Sequence, residues 1–185
     1  VEGGGGSSFK NLLINGDMQI WQRATAATAV TSAYATVDRW QMLENTDGAM
    51  TSEQSVLSTA DKATTGCRNA LLIKCTTTDS SIASNQYAYF SQGMEGLFLS
   101  HLGWGTTSAK TLTLSFWVKA YVAGTYSIFI KKYDNTAYYI PIEYTISSSN
   151  TWEKKIIVIS PTSGSTSLIT GANGAFDQDN GQALL

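Results

Sequence analysis

The most regular stretch of the chain, TLTLSFWVKA at residues 111–120, alternates apolar and polar positions. Side chains flip with period two along an extended strand, so Leu112, Leu114, Phe116 and Val118 share one face and Thr113, Ser115, Trp117 and Lys119 the other. Similar patterns place strands at 69–76, 86–92, 110–121, 126–133, 138–146 and 152–160. Over 126–133, Tyr126, Ile128 and Ile130 oppose Ser127, Phe129 and Lys131. Over 138–146, Ile140, Ile142, Tyr144 and Ile146 oppose Tyr139, Pro141, Glu143 and Thr145. Trp117, Phe129 and Tyr139 are therefore aromatics on nominally polar faces.

The first third is less regular. Residues 11–23, NLLINGDMQIWQR, read as two strand pieces hinged at Asn15-Gly16. A small, polar loop follows, then a strand at 37–43 and a weaker strand signal over 49–56. The intervening segments TTDSSIAS, VAGT, DNTA and SSSN are rich in residues that bend the chain or bond to their own backbone. Strand centres spaced about ten to fifteen residues apart, with no helix-period segment of convincing length, predict an all-β antiparallel sandwich. No internal repeat points to a propeller or solenoid.

Residues 1–9 read as a flexible Gly/Ser linker and 10–185 as one β-sandwich domain. The closing GQALL is an apolar run that stops where a strand would start, so the sandwich is expected to be truncated, incomplete at its C-terminus. Cys67 and Cys75 lie eight residues apart, about 26 Å in one extended strand. A disulfide needs Cα atoms within about 7 Å, so the two should not pair unless Cys67 lies in a bend.

Composition sharpens the class. Charged residues make up only 14% of the chain, while 23 Thr and 21 Ser supply uncharged polarity and 20 aromatics favour half-buried sheet surfaces. With 12 basic and 14 acidic residues there is no positive field to condense on phosphate, which argues against nucleic acid as a partner. The longest unbroken apolar stretch is the four residues Ile156 to Ile159, against the roughly 20 of a membrane helix, so no membrane span is expected.

Candidate chemistry is sparse. The single histidine, His101, lacks a GxSxG elbow or any specified Ser or Asp partner, and GGGG at 3–6 is not followed by GK[ST]. No distinctive carboxylate pair stands out, so no catalytic residue is assigned and the chain is read as non-enzymatic. Asn15 with Asp17, and Asp177 with Asp179 and Asn180, are oxygen-rich turns that calcium would accept, but the bidentate Glu of a calcium loop is missing. Turn chemistry explains them, and neither a metal site nor a cofactor is assigned. The aromatics are the remaining signal. Trp21, Trp40 and Trp152 sit in or at the start of apolar patterns and read as core or sheet edge. Trp104, between Gly103 and Gly105, together with Trp117 and Tyr139, are the candidate ligand-binding residues, as platforms for the apolar faces of sugar rings. Low charge and many hydroxyls suit a neutral polyhydroxylated ligand.

Taken in order, NLLINGDMQIWQR, TVDRWQM, YAYFSQGMEGL, KTLTLSFWVKA and TWEKKIIVI resemble the jelly-roll domain, related to galactose-binding-like carbohydrate-binding modules, of bacteriophage tail fibres and other virion-surface proteins. The resemblance spans about residues 11–161. It implies a jelly roll whose first strand is NGDMQIWQR, with Trp21 packed near Arg39 and Trp40, Gln92 and Glu95 at a strand end leading into a long loop, and TLSFWVKA as a central strand. It further implies an extracellular location on the virion, in tail or capsid, a host-surface glycan as ligand, other virion proteins as partners, and a homo-oligomer, a trimer by the habit of phage fibres. The alternative is a purely structural module that decorates a capsid or joins tail parts. The family runs on through further strands, and a sandwich lacking them would expose an edge.

Overall fold

The computed structural model describes residues 11–28, 32–133, 138–161, 169–176 and 182–184. Its strands are β1 (Ala26–Thr28), β2 (Ser32–Ala33), β3 (Gln41–Asn45), β4 (Ala49–Val56), β5 (Asn69–Thr77), β6 (Tyr87–Ser91), β7 (Met94–Glu95), β8 (Leu112–Val118), β9 (Gly124–Lys132), β10 (Tyr138–Ile146), β11 (Glu153–Ile159) and β12 (Gln182–Leu184). Two short helices, α1 (Thr59–Thr65) and α2 (Gly96–Leu99), complete a mostly β structure. Among the described residues all the strand pairs are antiparallel, although most join strands that are far apart in sequence, such as β3 with β6 and β8 with β11. They form four small sheets, ordered β1-β4-β5, β2-β3-β6, β10-β9-β12-β7 and β11-β8. The apolar end of the chain does enter a strand, since β12 lies between β9 and β7.

The face assignments hold where alternation is strongest. On β10, Tyr139, Pro141, Glu143 and Thr145 are exposed, while Ile140, Ile142 and Tyr144 are half-buried and Ile146 is buried. Pro141 has no N–H to give a ladder, and it sits on an edge strand. Ile130, Ile140 and Ile142 from the β9–β10 pair and Leu112, Ile157 and Ile159 from the β8–β11 pair all meet the core cluster of Leu99, Leu102, Trp104, Ile169 and Phe176. Burial of such side chains contributes roughly 1.5–3 kcal/mol each. A second buried group, Val37 and Met42, lies near a Thr36–Ser52 hydroxyl hydrogen bond of 2.7 Å that ties the β3 entry to β4.

Three expectations need correction. Residues 11–23 contain no strand; they form a turn and extended coil organised by Asn15. The Asn15 Oδ1 accepts the N–H groups of Gln19 (2.9 Å) and Ile20 (3.0 Å), and its Nδ2 donates to the Ile20 and Asp38 carbonyls, both at 3.0 Å. Asn15 and Met18 adopt left-handed φ of 54° and 55°, a backbone that cannot stay in a ladder. The strand expected at 37–43 begins only at Gln41, because Arg39 is left-handed (φ 74°) and interrupts it. Helix α1 was not anticipated. Ser58 caps it by accepting the Asp61 N–H at 3.1 Å, and left-handed Gly66 ends it.

Three of the five motifs behind the family resemblance, NLLINGDMQIWQR, TVDRWQM and YAYFSQGMEGL, meet at this loop. Trp21 Nε1 donates to the Met18 carbonyl and Trp40 Nε1 to that of Asn15, while Asp38 accepts the Gln22 N–H and pairs with Arg23 at 3.0 Å. Gln92, almost wholly buried, clamps Ile14 by accepting its N–H and donating to its carbonyl, each at 2.7 Å. Both tryptophans thus brace one turn. Cys67 is half-buried and Cys75 exposed on β5, and both are free thiols.

Candidate functional site

The antiparallel register of β9 and β10 sets Phe129 opposite Pro141 and Lys131 opposite Tyr139 on the face turned away from the core cluster. Phe129 and Tyr139 are therefore diagonal neighbours, close enough for rings to touch. Their centroids lie 5.8 Å apart at 63°. From the β3–β6 pair, Tyr89 meets Phe129 edge-on, 5.0 Å away at 80°, and Tyr87 follows Tyr89 at 5.5 Å. Strand alternation puts Tyr87 and Tyr89 on one side of β6, so two sheets together build one row of rings.

Exposure distinguishes this row from a core. Tyr139 is 55% exposed, Tyr133 52% and Tyr87 47%, around half-buried Phe129 and Tyr89. Edge-on and tilted rings leave π-faces and C–H edges open, and their phenols offer both donor and acceptor. Lys131 joins the row with its ammonium 4.1 Å from the Tyr133 centroid and 5.4 Å from that of Tyr139, within cation–π range of both. Burial raises the Tyr89 phenol above its ordinary range despite the opposing pull of Lys131, and the neighbouring phenols add to the rise. Tyr89 thus stays a neutral hydroxyl at physiological pH.

Of the residues singled out by sequence, Tyr139 belongs to this row. Trp117 is half-buried on a different sheet, opposite Lys154 of β11, and among the described residues has no ring contact with the row. Trp104 is corrected outright: it is 4% exposed, stacked on Phe176 at 5.3 Å and 22°, with its Nε1 donating to the Lys110 carbonyl at 3.3 Å. The flanking glycines serve close packing. Gly105 is left-handed (φ 87°), its N–H bonds the Ile169 carbonyl at 2.7 Å, and a Cβ there would fall 2.6 Å from the Ala175 nitrogen. A glycine-flanked tryptophan therefore marks a tight turn into the core, not a projecting loop.

Tyr87, Tyr89, Phe129, Lys131 and Tyr133 belong to the site but are not among the ligand-binding residues that the sequence singles out. The alternation in YAYFS was legible and put both tyrosines of β6 on one face, but nothing local could say that this face meets β9. A second, smaller aromatic contact joins Trp40 and Phe90, 5.5 Å apart, beside a void of about 10 Å³ that admits about one water. His101 is exposed in the 3₁₀ turn after α2, its Nδ1 2.9 Å from the Phe98 carbonyl oxygen. Asn15 spends its side-chain oxygen and nitrogen on backbone groups, so it serves the turn and not a cation. The other oxygen-rich turn, Asp177, Asp179 and Asn180, lies outside the described residues. Among the described residues no group of three or more His, Cys, Asp or Glu is placed to hold a metal, and no helix is long and apolar enough to cross a membrane. No protein-family model, curated protein or solved structure matched the chain.

Proposed function

We propose that this chain is a non-enzymatic, jelly-roll-type surface domain of a bacteriophage virion, in a tail fibre or spike, that holds host-surface glycans on the Tyr87–Tyr89–Phe129–Tyr139 row. The carrying observation is the exposed, contiguous row of rings assembled from β6, β9 and β10. Such a platform accepts the apolar face of a pyranose, while phenols and the Lys131 ammonium bond its hydroxyls. Binding at one shallow site is weak, and a homo-oligomeric fibre, a trimer on the family's pattern, multiplies it through effective concentration. Three of the five resemblance motifs meeting at the Asn15 turn support a shared scaffold. The test is a glycan array probed with the intact assembled protein and with Tyr139→Ala. Retention on host lipopolysaccharide or capsular glycans that disappears in the variant supports the proposal; silence of the well-folded parent sinks it.

A second reading, a structural module that joins virion proteins, draws on another surface. The outer face of the β8–β11 pair carries Ile156 at 63% and Val158 at 60% exposure beside Trp117, an apolar patch suited to a protein neighbour. Acrylamide quenching of Trp117 fluorescence in the assembled particle, isolated by comparison with Trp117→Phe, separates the two. Protection of Trp117 together with glycan silence favours the structural module.

A further inference from the structure

Lys131 is the cation of the aromatic row, and its surroundings specify the charge of what binds there. The ion pairs among the described residues engage Arg23, Arg39, Lys74, Lys119 and Lys155, and none involves Lys131. Its contacts are the π-faces of Tyr133 and Tyr139. These rings orient and partly desolvate the ammonium without neutralising it, since a quadrupole attracts a cation but carries no net charge. The acidic side chain on the same face of β10, Glu143, pairs in register with Ser127, two same-face steps from Tyr139 and Lys131. At about 3.4 Å per residue that is roughly 14 Å along the strand, beyond a Debye length at physiological salt.

Resting on the glycan reading above, we infer that the site takes an acidic saccharide, whose carboxylate pairs with Lys131 while the ring beside it lies against Tyr139 and Phe129. The rings of Tyr133 and Tyr139 flank the ammonium, and a phenol hydroxyl is a further donor for a bound carboxylate. A neutral sugar offers the Lys131 ammonium only hydroxyl acceptors, whereas a carboxylate adds the attraction of opposite charges to the same charge-assisted hydrogen bond. The low net charge of the whole chain does not oppose this, because recognition is set by the local cation and not by the −2 total.

The test pairs acidic oligosaccharides, from polygalacturonate, hyaluronan and polysialate, each with its carboxyl-reduced counterpart, which keeps the ring stereochemistry and removes the charge. Affinities of the intact protein, Lys131→Gln, Lys131→Arg and Tyr139→Ala are read by calorimetry at low and physiological salt. Expected is a preference for at least one acid over its reduced form of about tenfold or more, lost in Lys131→Gln, retained in Lys131→Arg and weakened by salt. Equal binding of acid and reduced forms, with both lost in Tyr139→Ala, leaves the glycan platform standing and overturns the acidic preference. An acid preference unchanged in Lys131→Gln also overturns it. Absence of binding to every member of the set, acidic and reduced, overturns the acidic preference, and silence on the full glycan array separately removes the platform itself.

Discussion

Two aromatic contacts of similar spacing have opposite fates in this protein. Trp104 and Phe176 stack at 5.3 Å inside the core, whereas Phe129 and Tyr139 meet at 5.8 Å on an open face. The rings themselves do not decide which is which. Around Trp104, α2, the 3₁₀ turn after it, β8 and β11 bring Leu99, Leu102, Leu112 and Ile159, and the indole N–H is satisfied by the Lys110 carbonyl. Around Tyr139 the neighbours are other rings and an ammonium, all partly wet. Strand β9 serves both regions at once, sending Ile130 to the core and Phe129 and Lys131 outward. An aromatic becomes a binding residue here when strand parity turns it from the core and a second sheet brings rings beside it without covering them.

Substitutions in the core and on the open face should have opposite consequences. Trp104→Ala should have the largest effect, about 3–5 kcal/mol of lost stability in urea unfolding, because it leaves a cavity between Phe176 and the core leucines. A loss below about 1 kcal/mol would mean that Trp104 is not the core residue described. Gly105→Ala tests the same turn from its backbone. A left-handed φ costs about 1–3 kcal/mol and the clash with Ala175 about as much again, so thermal unfolding should shift down clearly.

Gln92→Ala removes the two hydrogen bonds to Ile14, an expected loss of about 1–3 kcal/mol, with faster proteolysis within residues 11–23 as its specific signature. Unchanged cleavage there would show that the Asn15 turn holds without the clamp. The fourth effect is a pH dependence. Glu153 is held below the ordinary glutamate range, chiefly by the Lys155 ammonium and then by the N–H groups of Ser148 and Ser147. Its folded form thus binds fewer protons than the unfolded chain, and the contribution is full above the ordinary glutamate pKa and lost as pH falls through the depressed value. Glu153→Gln should flatten stability across that acidic window; an unchanged pH profile would remove Glu153 as the cause. Smallest of all, Tyr139→Ala should change stability by no more than about 0.5 kcal/mol while abolishing glycan retention, the reverse of Trp104→Ala.

Legibility followed the range of the forces involved. Strands β4, β5, β6, β8, β9, β10 and β11 coincide with alternating or β-branched runs, and alternation is a stereochemical property of the extended backbone itself. The inward set Ile128, Ile130, Ile140, Ile142 and the outward pair Phe129 and Tyr139 follow from the same period. Helix α1 carried a local signal too, Ser58 followed three residues on by Asp61 and closed by Gly66, a pattern outweighed by the β-rich composition around it. The 11–23 segment alternates like a strand, yet Asn15 competes for the backbone hydrogen bonds and wins, because its partners include Asp38, distant in sequence.

Residue order alone suffices for the β class, most strand positions and the inward sides of β8, β9 and β10, since these depend on neighbours one to four residues away. Tertiary structure alone decided that Trp104 turns into the core, that Gln92 closes on Ile14 across 78 positions, and that Tyr89 of β6 meets Phe129 of β9. Those outcomes depend on which element lands on an exposed face, and burial and ring contact are properties of that pairing of elements, which local pattern does not encode.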